Sequence, residues 1–157
     1  MKDEQFLRQA LEISKNCKDV AWYGVGCLIV SANHEILASG YTGERCYSDG
    51  KMLHAEETAI EKCLEDAVQF NDKAACLYTT LEPCSERASG RTSCCERIIR
   101  AGIKSVVFAA REPFEKELGI VCRSEETLRQ GGVQVRQISE LQELCLAQAL
   151  ASRMRKD

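Results

Sequence analysis

Two short motifs in this sequence carry residue types capable of chemistry. The first is His54-Ala55-Glu56. The second is Pro83-Cys84, followed by Cys94 after nine intervening residues. One imidazole and two thiolates are good zinc ligands, and a catalytic zinc keeps its fourth position open for water. Two thiolates and a neutral imidazole leave such a centre close to zero net charge. Zinc lowers the pKa of its water to about 7. Glu56 then stands where a proton carrier is needed. It can take the proton of that water, hand it to a ring nitrogen and help an amine leave as ammonia. Each motif alone is a weak signal, because a single histidine at a helix start or a single Pro-Cys is usually structural. Their order, and a strand expected just before Pro-Cys, match the zinc deaminase signature.

Cys95 follows Cys94 directly. Neighbouring side chains on a helix point about 100° apart, so Cys94 or Cys95 can be the third ligand, but both cannot easily serve. His34 is the only other histidine, and its setting reads as a solvated hairpin turn.

These residues need elements to position them. Phe6, Ala10, Leu11 and Ile13 have helical spacing and predict a helix from about Asp3 to Cys17. Gly26 to Val30 reads as a buried strand, Asn33-His34 as a turn, and Glu35 to Tyr41 as a second strand. Thr42 to Met52 reads as a loop and His54 to Leu64 as a helix. Ala75 to Thr80 is strand-like, Glu82 to Ser93 an irregular loop, and Cys94 to Ala101 a helix closed by Gly102. A helix start at Cys94 would also favour its thiolate. Ser105 to Ala110 is a strand, Arg111 to Ile120 a loop around Pro113, Ser124 to Gln130 a short helix, and Val133 to Ile138 a last strand. Ser139 is placed to cap a final helix, Glu140 to Met154. The order α-β-β-α-β-α-β-α-β-α implies an α/β layered fold with a mixed sheet.

The chain has 157 residues, 45% of them hydrophobic and 29% charged, with a formal net charge of −3. That suits one globular domain spanning 1–157 with a proper core. Slight acidity argues against a binder of phosphate backbones. The polar, acidic start Met1 to Phe6 has no apolar segment of the secretory kind, and no apolar run approaches the ~20 residues of a membrane span. The expectation is a cytoplasmic protein with no membrane partner. Its ten cysteines then read as free thiols rather than a disulfide framework. Cys27, Cys63, Cys76 and Cys145 sit in apolar patterns and read as core residues. Cys17, Cys46 and Cys122 carry no assignment.

At the residues that could do chemistry, the chain resembles the cytidine deaminase-like superfamily. Most members carry Pro-Cys-x-x-Cys, and this chain does not. Its segment Thr80-Leu-Glu-Pro-Cys-Ser-Glu-Arg-Ala-Ser-Gly-Arg-Thr-Ser-Cys94 is instead similar to the riboflavin-pathway deaminases, closest to the fungal type that acts on diaminohydroxyphosphoribosylaminopyrimidine. Gly40-Tyr41-Thr42, Glu112-Pro113-Phe114 and Gly131-Gly132-Val133-Gln-Val135 extend the similarity to roughly residues 4 to 137. The resemblance implies Cys94 as the ligand, a three-layer αβα sandwich with a five-stranded mixed sheet, and a homodimer. It also implies a small-molecule pyrimidine substrate with a phosphorylated ribityl chain. Two features depart from it: Ser93 stands where proline is frequent, and Glu44 to Met52 is longer than usual.

Several residues are candidates for holding substrate. Arg and hydroxyl groups beside a glycine can hold a phosphate, which singles out Ser85, Arg87 and Ser89 near Gly90 and Thr92. The plain alternative is a solvated loop. Tyr23, beside Trp22, can stack on a heterocycle or simply pack. The favoured function is zinc-dependent deamination of the phosphorylated ribitylaminopyrimidine. The alternatives are deamination of another small heterocycle (a nucleoside, a base or a nucleoside antibiotic), a tRNA or nucleic-acid deaminase, and a structural zinc protein. The basic tail Arg153-Met-Arg-Lys156 supports the third, but cations also suit a helix C-terminus. A structural centre needs a fourth ligand, which Cys95 or Cys46 could supply.

Overall fold

The computed structural model describes residues 2–70 and 74–153. Helix α1 (Lys2–Ser14) leads into a hairpin, β1 (Gly26–Val30) and β2 (Ile36–Tyr41). Then come α2 (Ala55–Glu65), β3 (Cys76–Leu81), α3 (Cys94–Ala101) and β4 (Ser105–Ala110). A one-turn helix α4 (Glu115–Leu118), helix α5 (Ser124–Gln130), strand β5 (Gln134–Gln137), a 3₁₀ turn (Ser139–Leu141) and α6 (Gln142–Ala151) complete the chain. The sheet order is β2-β1-β3-β4-β5. β1 is antiparallel to β2 and β3, whereas β3, β4 and β5 run parallel. Helices α1 and α6 cover one face, and α2, α3 and α5 the other. This is the expected three-layer αβα arrangement around a five-stranded mixed sheet.

The central strands show why their sequences lack polar–apolar alternation. All five residues of β1 are buried, as are the last five of β3 and of β4. Strands covered on both faces read as continuous apolar runs. The edge strand β2 is mostly half-buried. On α1 the buried face is Phe6, Leu7, Ala10 and Ser14, with Leu11 and Ile13 packed at its margin.

Gly40 brings β2 against the start of α2. A Cβ on Gly40 would lie 2.3 Å from the carbonyl oxygen of Ala55 and 2.9 Å from the nitrogen of Ala59. Any larger residue would push away the turn that carries His54 and Glu56.

Several sequence expectations are corrected. α1 stops at Ser14, and residues 15 to 17 continue only as i→i+3 turns, with Cys17 N bonded to Ser14 O. The segment Arg111 to Ile120 contains α4, a single turn closed by Gly119 at φ 68°. Four residues are too few to register as a helical period. Ser139 begins a 3₁₀ turn, and the last helix starts only at Gln142. Its expected end at Met154 lies outside the described residues. Cys27, Cys63 and Cys145 are buried as expected. Cys76, first in its strand, is half-buried, and Cys17 is buried. Among the described residues, no helix is long and apolar enough to cross a membrane.

Candidate active site

The parallel strands β3 and β4 end on the same side of the sheet, and the segments leaving them carry Cys84 and Glu112. Ligand crevices in α/β sheets lie outside the carboxyl ends of such strands. A cleft of about 570 Å³ opens here, bordered by Tyr23, Tyr47, His54, Glu56, Cys84 and Arg87. That volume falls within the range of roughly 300–1,000 Å³ typical of small-molecule sites.

The N-termini of two helices meet at the cleft floor. His54 is the N-cap of α2, in extended conformation at ψ 158°. Ser93 caps α3 by accepting from the backbone N–H of Glu96, which puts Cys94 at the first helical position. The donor atoms of His54, Cys84 and Cys94 lie within 4.8 Å of one another. His54 Nδ1 is 3.7 Å from Cys84 Sγ and 3.4 Å from Cys94 Sγ. Donors around a tetrahedral zinc with bonds near 2.0–2.3 Å stand roughly 3.6 Å apart. The spacing and the nitrogen–sulfur donor set therefore fit that ion. The backbone N–H of Cys94 also donates to Cys84 Sγ at 3.2 Å.

Cys95 faces away from this group. Its thiol donates to the carbonyl of Pro83 at 3.5 Å. Burial pushes its pKa far up, with the neighbouring Cys84 adding to the shift. The Cys84 thiol is held well below its usual range by a hydrogen bond from the Cys94 thiol, against the cost of burial, with His54 assisting.

Glu56 is 4% exposed. Burial raises its carboxyl pKa, partly offset by His54. Thr79 Oγ1, on β3, lies 2.9 Å from Glu56 Oε1, while Oε2 lies 3.5 Å from Cys94 Sγ. The carboxyl group thus sits beside the three donors, within reach of a reacting group bound there.

The candidate substrate residues divide. Tyr23 borders the cleft, donates to Glu112 and stacks on Phe114 with ring centroids 6.1 Å apart. Arg87 and Ser89 also border the cleft. Arg87 Nη1 is already committed, donating to Glu57 at 2.7 Å and to Tyr47 at 3.1 Å. The expectation for Ser85 is corrected: it is not part of the cleft lining. Its Oγ accepts from the backbone N–H of Arg123 at 2.7 Å and so ties two loops together. His34 is exposed in its turn at φ 65°, with its ring stacked on Phe6. In the basic tail, Arg153 lies over the rings of Trp22 and Phe114. Residues 154 to 156 fall outside the described residues.

Sequence reasoning gave Thr79, Tyr47, Glu57 and Glu112 no role in the site. Glu112 was noted only within the Glu112-Pro113-Phe114 stretch of the resemblance, and Glu57 had a local signal, since it lies three residues after the N-cap, the capping-box position.

The sequence profile of the cytidine and deoxycytidylate deaminase zinc-binding region matches residues 1–110. This chain belongs to the cytidine and deoxycytidylate deaminase family. Within it, the chain is 32% identical over 148 residues to a diaminohydroxyphosphoribosylamino-pyrimidine deaminase of Schizosaccharomyces pombe, covering 94% of this chain and 35% of that protein. It is 34% identical over 122 residues to the protein of the same name from Buchnera aphidicola subsp. Schizaphis graminum, covering 76% of this chain and 74% of that one. Among solved structures it is similar to a diaminohydroxyphosphoribosylaminopyrimidine deaminase/5-amino-6-(5-phosphoribosylamino)uracil reductase from Thermotoga maritima. The TM-score there is 0.75 at 27% identity, covering 94% of this chain and 39% of that one. The chain thus spans little more than a third of the S. pombe and T. maritima relatives.

Proposed function

We propose that this chain is a zinc-dependent aminohydrolase that removes the exocyclic amino group of a phosphorylated ribitylaminopyrimidine, a step of riboflavin biosynthesis. The observation that carries this is the convergence of His54, Cys84 and Cys94 beside the buried Glu56 carboxyl at the floor of a small-molecule cleft. The substrate class is supported by identity above 30% to two diaminohydroxyphosphoribosylamino-pyrimidine deaminases.

His54, Cys84 and Cys94 would hold the metal. When bound, zinc would supply a Lewis acid that makes water a nucleophile near neutral pH. Glu56 moves two protons: it carries one from the attacking water to a ring nitrogen as the C–O bond forms, then one from the added hydroxyl to the amine as the C–N bond breaks and the carbonyl forms. Thr79 Oγ1 holds Oε1, and Oε2 is the oxygen turned toward the three donors, 3.5 Å from Cys94 Sγ. Tyr23, held by Glu112 and backed by Phe114, forms a flat wall against which a pyrimidine ring can lie. Ser89 faces the same cleft and suits the phosphorylated end of the side chain, while Arg87 borders it with its guanidinium paired to Glu57.

The test is ammonia release by zinc-loaded protein across a panel: the phosphorylated ribitylaminopyrimidine, cytidine, deoxycytidylate, adenosine, guanine and tRNA. The expected result is turnover of the first compound, lost in Glu56→Gln while zinc content is retained. The profile match to cytidine and deoxycytidylate deaminases supports a second reading, a different small heterocycle, and preferential turnover of a nucleoside or nucleotide would establish it. No ammonia from any compound would sink both readings.

A further inference from the structure

The residue after the proton carrier, Glu57, has no part in the chemistry above, yet its carboxylate is only 1% exposed. A buried carboxylate is costly unless it is paired and hydrogen-bonded. Here four groups converge on it, three as hydrogen-bond donors and one as a further cation. Oε1 accepts from the backbone N–H of His54 at 2.9 Å and from Arg87 Nη1 at 2.7 Å. Oε2 accepts from Tyr47 OH and forms an ion pair with Arg97 Nη2 at 3.2 Å. Three hydrogen bonds and two cations thus compensate the buried charge.

The origin of the donors matters more than their number. His54 is itself one of the three converging residues. Arg87 lies in the loop that joins Cys84 to Cys94. Arg97 lies on α3, the helix that starts at Cys94. Three of the four contacts, two hydrogen bonds and one ion pair, therefore end on the three segments that carry His54, Cys84 and Cys94. The fourth, from Tyr47, comes from the segment Glu44 to Met52, which carries none of them. Glu57 also sits between two cations and the positive N-termini of α2 and α3, all of which would repel one another without it.

We infer that Glu57 is a positioning residue that holds His54, Cys84 and Cys94 at ligating distance before the metal arrives. This deepens the zinc reading above and rests on it. Groups that orient metal ligands through hydrogen bonds typically change metal affinity about 10- to 100-fold when mutated. Glu57→Gln keeps the shape of the side chain, but an amide presents donors where Tyr47 and Arg97 also present donors.

The experiment measures zinc affinity of the metal-free folded protein by competition with a chromophoric chelator, together with the absorption spectrum of the cobalt(II)-loaded form. Circular dichroism checks that each variant is folded. Glu57→Gln is expected to weaken zinc binding about 10- to 100-fold and to alter the cobalt spectrum. Arg87→Met and Arg97→Met, each cutting one bond to a donor-bearing segment, should give smaller losses; they carry the test if Glu57→Gln does not fold. Tyr47→Phe removes the contact from the one segment without a donor and, with it, the Arg87–Tyr47 bond; Arg87 keeps its ion pair with Glu57, so zinc affinity should fall less than in Arg87→Met or Arg97→Met. A merely structural role would lower the melting temperature of the variants without moving zinc affinity or the cobalt spectrum, and that result overturns the inference. If the wild type binds no zinc, the fault lies instead in the proposed function.

Discussion

The floor of the cleft and its rim are built on opposite principles. The floor rests on regular elements: the N-termini of α2 and α3 and the end of β3. Glu56, Glu57, Thr79 and Cys94 are all buried there, and each has hydrogen-bonding partners. The rim is made of loops held by solvated charges. Asp49 pairs with Arg91 at 2.6 Å, and Arg45 with Glu65 at 2.6 Å. Gly50 turns the segment Glu44 to Met52 back on itself at φ 83°. Arg91 lies 3.7 Å above the Tyr47 ring. Exposed ion pairs of this kind contribute little to stability. Fixed geometry is therefore concentrated where protons and metal must be placed, and adaptable contacts lie where a substrate's outer parts would be read.

Mutations that distinguish the two regions sharpen this contrast. The largest effect is expected from Cys94→Ser, which should abolish stoichiometric zinc binding, whereas Cys95→Ser should retain it; metal analysis of the purified variants tells them apart. Glu56→Gln should keep zinc but reduce ammonia release about 10²- to 10⁴-fold, the usual size of a proton-transfer contribution. A variant that kept both zinc and near-full activity would remove Glu56 from the mechanism. Gly40→Ala should destabilise the fold by about 1–3 kcal/mol, because the added methyl overpacks the contact between β2 and α2; denaturant midpoints measure this. At the rim, Arg91→Ala should leave the denaturation midpoint nearly unchanged, and a large loss would mean that the rim is as rigid as the floor. The smallest effect concerns thiol reactivity. Cys46 is exposed, while burial pushes Cys63 and Cys145 up to about 11. Brief alkylation at neutral pH followed by mass mapping should therefore label Cys46 before either of them.

Elements with long local signals were legible in the sequence. α3, β4 and α5 occupy the expected residues, and Gly102 ends α3 in the left-handed region at φ 83°. The strand from Cys76 to Leu81 and the helix from Ala55 to Glu65 are each displaced by one residue from expectation, the latter because His54 serves as cap rather than first turn. α4 was missed because one turn has no period. The role expected of Ser85 failed for a different reason: its hydroxyl is used by Arg123, 38 residues away in sequence. No local pattern encodes such a contact.

The residue types able to bind a metal and move protons, their order, and the strand–helix frame that carries them were all determined by the sequence itself. Those properties depend on side-chain chemistry and local periodicity. Only the tertiary structure decided which of two adjacent thiols faces His54, that Arg87 is bound into an ion pair, and that one carboxylate, Glu57, ties its own helix to three other segments. Each of these depends on the direction of side chains brought together from across the chain, and spacing along the sequence does not carry that direction.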